Sequence, residues 1–133
     1  MAVNEEKWQK GLEVVDQVYG PGYSEMMKPF RNARFNQEIV TNQFANLWAD
    51  DALSIRDKRL MVLGATTMLG RPDLIETQMF GALQNGEFTD EQLELIPLFM
   101  LFYAGAGNTT ALFRGIEAAK AKFKAVGEAA EQG

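Results

Sequence analysis

The chain has 133 residues, 47% of them hydrophobic and 23% charged, enough for one domain with its own core and unlike a disordered chain. It has no cysteine and no histidine, which excludes disulfides, thiolate or imidazole metal sites, Cys-based redox chemistry and any Ser-His-Asp or Cys-His triad. The formal net charge of −5 gives no general attraction to nucleic acid or to an anionic membrane, although local basic spots can hold an acidic small molecule.

The pattern is helical nearly throughout, and an all-α domain of about six or seven helices is expected over residues 1–133. Its core spans about 10–123, with a frayed tail at 127–133. The opening MAVNEEKWQKG is acidic and amphipathic, not a signal peptide. Trp8, Leu12, Val15 and Tyr19 then recur at helical spacing until Gly20-Pro21-Gly22 stops the helix. A turn-rich stretch with Met26, Met27, Pro29 and Phe30 follows. Phe35 to Trp48 is a second helix with Val40, Phe44, Leu47 and Trp48 as its apolar stripe, and Asp50-Asp51 marks the break after it.

Ser54 can cap a helix running through Leu60, Leu63, Gly64 and Thr67 to near Gly70. Pro72 suits the first turn of the next helix, which Asn85-Gly86 closes with residues that tolerate a left-handed cap. Thr89-Asp90-Glu91-Gln92 is a capping-box pattern. The helix after it, Leu93 to Tyr103, is apolar on all sides. It should therefore be central in the fold or buried against a partner subunit, and Pro97 either kinks it or marks a later start. No apolar run reaches the roughly 20 residues of a membrane span, so the protein is expected to be cytoplasmic. Asn108 can cap the last helix, whose Leu112, Phe113, Ile116, Ala119, Phe123 and Val126 share a face.

Gln78 is the most informative polar residue. Its helical neighbours Leu74, Ile75, Gly81 and Ala82 are all apolar or small, which sets a long amide on or beside the buried face. It is either an amide satisfied by neighbouring backbone or a ligand contact. Arg59 has Ile55, Val62 and Leu63 beside it; it either snorkels to water or reaches inward, where its planar fork matches a carboxylate. Glu76 and Asp73 sit favourably near a helix N-terminus, and Glu76 is also a candidate general base. Tyr103, at the end of the apolar helix, can donate a hydrogen bond or a proton if buried. Trp48 and Thr66 complete the candidate set, with core packing and backbone hydrogen bonding as their plainer readings. No dinucleotide, P-loop or EF-hand pattern and no metal-ligand spacing is present, so neither cofactor nor metal is expected.

Taken in order, several stretches resemble the carboxymuconolactone decarboxylase family, the all-helical group that includes the alkylhydroperoxidase-D-like proteins. Lys10-Gly11-Leu12 through Val18-Tyr19-Gly20 resembles the family opening "RG…v…v.G". Phe44 to Trp48, then Leu53 to Arg59, is similar to "W-x-x-x-W … L-x-x-x-x-R" with only the second Trp kept. Ala82-Leu83-Gln84-Asn85-Gly86 with Thr89 and Glu91 resembles "AL-x-NG-x-T-x-E-E", and Tyr103-Ala104-Gly105 resembles "Y-A-G". The resemblance implies an alkylhydroperoxidase-D-like fold and a homo-oligomer, commonly a trimer or hexamer.

The departures bear on function. Gln78 stands where the family usually has histidine, Arg59 matches the place of a glutamate found in many members, and the Cys-x-x-Cys of the peroxidase branch has no counterpart. A Cys-dependent peroxidase is thereby excluded. The resemblance implies a cofactor-independent enzyme, a decarboxylase-like or isomerase-like lyase acting on a small anionic lactone, oxo acid or related cyclic metabolite. In it Gln78 would steady an oxyanion, Arg59 would hold a carboxylate, and Tyr103 or water would move the proton. The alternative expectation is a non-catalytic ligand-binding or oligomeric assembly protein.

Overall fold

A computed structural model describes residues 3–132. It is all-α: six α-helices and one π-helix, with short 3₁₀ turns and no strand among the described residues. Contacts divide the chain into two compact units, one reaching to Lys58 and the other beginning at Arg59.

In the first unit, α1 spans Glu5–Tyr19. The Asn4 side chain accepts a hydrogen bond from the Lys7 amide at 3.0 Å, and Gly20 ends the helix. Short 3₁₀ turns cover Tyr23–Met26 and Lys28–Phe30. Next, α2 covers Arg34–Glu38 and passes directly into a π-helix over Ile39–Trp48. Trp8, Leu12 and Val40 form a small core, flanked by Val3 and Met27. The Phe44 ring lies 5.7 Å from that of Tyr19 and stacks on Trp48 at 6.1 Å.

The π-helix overturns one expectation. Val40, Phe44, Ala45 and Trp48 are buried, but Leu47 is 58% exposed. An α-helix returns to nearly the same face after seven residues. A turn closed by i→i+5 bonds holds more than four residues, so Leu47 is carried away from the stripe that contains Val40.

The division between the units falls within α3, Ile55–Met68, which opens with the Ser54 hydroxyl accepting from the Asp57 amide at 3.0 Å. The second unit continues with α4 (Pro72–Gln84), α5 (Asp90–Ala104) and α6 (Ala106–Gln132). Pro72 stands in the first turn of α4 as expected. At the other end only Gly86 adopts a left-handed conformation, with φ +62°; Asn85 stays right-handed at φ −88°. Thr89 and Gln92 make the full reciprocal capping box at the start of α5. The helix therefore begins well before Pro97 and runs through it.

Leu63, Ile75, Met79, Ala82, Leu93, Ala111, Leu112, Ile116 and Ala119 make the core of this unit. Helices α4 and α6 lie close together at Gly115, where an added Cβ would fall 2.5 Å from Ile75 Cγ2 and 3.0 Å from the Pro72 carbonyl oxygen. Gly115→Ala is therefore expected to lower stability by about 1–3 kcal/mol, since the carbonyl cannot give way as a side chain could. Chemical denaturation followed by circular dichroism checks this, and unchanged stability would mean that the two helices are not held this closely.

The start of α6 also differs from expectation. Asn108 lies inside its first turn and donates back to the Ala104 carbonyl at 3.2 Å instead of capping the helix. The helix extends as far as Gln132. On its apolar face Leu112, Ile116 and Ala119 are buried, while Phe113, Phe123 and Val126 are exposed.

The largest correction concerns α5. Only Leu93 of this helix is fully buried, with Ile96 and Met100 packed against the core. Leu95, Leu98, Phe99, Leu101, Phe102 and Tyr103 are all exposed. At 100° per residue they fall on two further faces: an outer one with Leu95, Phe99, Phe102 and Tyr103, and a lateral one with Leu98 and Leu101. A single neighbouring layer can bury only one stripe of a helix that is apolar all round. No helix among the described residues is long and apolar enough to cross a membrane.

Candidate functional site

Arg59 and Gln78, singled out separately from the sequence, meet inside the second unit. Arg59 stands on the same α3 face as the buried Leu63 and Thr66, so its long stem runs inward along apolar surface. Gln78 faces it from α4, one turn from the buried Ile75 and Ala82. Arg59 Nη1 donates to Gln78 Oε1 at 3.2 Å.

The third member is Glu87, which sequence reasoning missed. It follows the left-handed Gly86, and that turn directs the chain back so that the Glu87 amide donates to the Ala82 carbonyl at 3.0 Å. Its carboxylate takes the Nε–Nη2 edge of the guanidinium in a bidentate pair: Arg59 Nε donates to Oε1 at 3.1 Å and Nη2 donates to Oε2 at 2.8 Å. Asn85 Nδ2 adds a further hydrogen bond to Oε2 at 3.0 Å. The pair is closed from water, with side-chain exposures of 0% for Arg59 and 8% for Glu87. The local pattern Asn-Gly-Glu announced a turn, and nothing in it announced a partner at Arg59.

The other candidates lie elsewhere. Thr66 is buried near Arg59 in sequence register, but its hydroxyl donates to the carbonyls of Val62 and Leu63 on its own helix, at 2.9 and 3.2 Å. Glu76 is half-buried on α4, two positions from Gln78 and so on another side of the helix. Tyr103 is 74% exposed on the outer face of α5, its ring 5.3 Å from Phe99, so the burial on which its role as a donor depends is absent within the chain. Trp48 belongs to the first unit, where its carbonyl accepts from Lys58 Nζ at 2.9 Å. Asp73, at the start of α4, is gripped by the Arg71 guanidinium at 2.9 and 2.7 Å; that hydrogen-bonded contact holds its carboxyl below the ordinary carboxylate value.

Chemically, the Arg59–Glu87–Gln78 cluster is a planar fork filled by an internal carboxylate, with an amide carbonyl on the remaining side. Among the described residues no buried side-chain polar atom lacks a partner, and no grouping of acidic residues is arranged to hold a metal ion. Glu87 occupies the position on the guanidinium that an incoming carboxylate would need.

No family model, curated protein or solved structure matches the chain.

Proposed function

We propose that the protein is a non-catalytic, self-associating assembly module with a carboxymuconolactone-decarboxylase-like plan, acting in the cytoplasm as a homo-oligomer such as a trimer or hexamer. The observation that carries this reading is the bidentate Arg59–Glu87 ion pair, buried at the place where the resemblance sets the family's chemistry. The motif order from Lys10 to Gly105 supports the plan, and the outer face of α5 supports the assembly. Leu95, Phe99, Phe102 and Tyr103 present no charge, and at roughly 150–250 Å² for a whole aromatic side chain their exposed fractions amount to about 500 Å². That is more than half of the ~800 Å² that each partner buries in a standard interface, and it has the charge-depleted character of an interface core.

A second reading keeps some support from Gln78 lying against Arg59. It is a cofactor-independent lyase, decarboxylase-like or isomerase-like, that acts on a small anionic lactone or oxo acid. That reading requires Glu87 to release the guanidinium so that substrate can take its place. Incubation of the purified protein with 4-carboxymuconolactone, followed by NMR, separates the two. The assembly reading expects no loss of CO₂ above background. Turnover abolished by Gln78→Ala would overturn it in favour of the lyase.

A further inference from the structure

The lateral face of α5 does not look onto open solvent alone. Helices α5 and α6 fold back on one another through Gly105, and between them runs a groove of about 650 Å³. That volume lies within the range of small-molecule sites. Its walls are Pro97, Leu98 and Leu101 from α5 and Phe113 and Ile116 from α6. At one end stand Asp90 and Glu94, one turn apart on α5. Neither makes an ion pair with any described residue. The third acidic group, Glu117, has its own cation in Lys120 at 3.4 Å.

The geometry points to an amphipathic organic cation as the ligand of this groove: an ammonium head with a hydrocarbon body. The head meets the two unneutralised carboxylates, and the body covers Pro97, Leu98 and Leu101. The exposed ring of Phe113 adds an aromatic wall against the hydrocarbon body. An anionic amphiphile of equal chain length would fill the same apolar length but bring its charge against Asp90 and Glu94, and the rim amine of Lys120 is already engaged by Glu117. The inference is independent of the assembly reading, because the groove and the outer face are different sides of α5.

Calorimetric titration of the full chain with decyltrimethylammonium and with decanoate, both below micelle formation, tests it. One saturable site for the cation is expected, with decanoate at least tenfold weaker. NMR shift changes should centre on Leu98, Thr109 and Phe113. The size-conserving double variant Asp90→Asn/Glu94→Gln should weaken the cation at least fivefold with helix content unchanged. Equal affinity for the two amphiphiles, or a double variant that binds the cation as well as the parent, would overturn the proposal. So would binding of neither amphiphile together with a fall in molecular mass on Phe113→Glu, which would assign the groove to a second copy of the chain.

Discussion

On the proposed assembly reading, Phe102→Asp is expected to yield a monomer that keeps its helix content. Phe102 is the most exposed large apolar residue described, at 87%, and shares the outer face of α5 with Leu95, Phe99 and Tyr103. Aromatic residues at the centre of a desolvated patch carry a disproportionate share of association energy, typically about 2–4 kcal/mol each on truncation. A carboxylate placed there adds the cost of taking an unpaired charge out of water. The intramolecular fold should be indifferent, because the substituted side chain packs against nothing in the described core. Light scattering coupled to size exclusion checks this over a concentration series. The parent should show a mass above that of one chain, and the variant should fall to one chain at concentrations at least a hundredfold higher than the parent's own dissociation. An unchanged mass would place the interface elsewhere.

The second large effect is at Glu87. Glu87→Gln removes the charge that neutralises Arg59 while leaving shape and size nearly intact. The guanidinium is fully buried, so the loss leaves an uncompensated charge and should cost about 3–5 kcal/mol. The Arg59→Met/Glu87→Leu double variant should recover most of that loss. Replacing a whole buried ion pair by apolar groups is often neutral, whereas breaking one half of it is not. Urea denaturation of the parent, of Arg59→Met and Glu87→Leu singly, and of the double variant yields the coupling directly. Additive losses, with the double variant worse than either single one, would mean that the two side chains do not act as a pair.

Much of the fold was legible where local chemistry decides it. The Ser54 cap, Pro72 in the first turn of α4 and the Thr89–Gln92 capping box each involve groups within three residues of one another, and each formed as read. Apart from the Asn108 cap, the failures are non-local. The sequence of α5 is apolar on every side, and periodicity cannot say which side meets the rest of the same chain. The widening of the second helix into π geometry moved Leu47 to the surface, although the spacing of Val40, Phe44 and Leu47 fits an ordinary α-helix equally well. Of the candidate site, Arg59 and Gln78 were found because a charge and an amide on apolar faces must be satisfied somewhere. Glu87 was missed because its partner is on another helix and the residues beside it describe only the turn. A buried arginine with no acidic neighbour on its own helix is a signal that a distant carboxylate completes it.

The account rests on Arg59 being closed by Glu87 rather than open to a ligand. The most direct measurement is the NMR signal of the Arg59 Nε–H, followed as 4-carboxymuconolactone is added. The account predicts a resolved signal, slow to exchange with water, that stays where it is through the titration. A saturable shift of that signal, or its rapid loss to solvent exchange, would contradict it and reopen the guanidinium as a carboxylate-binding group.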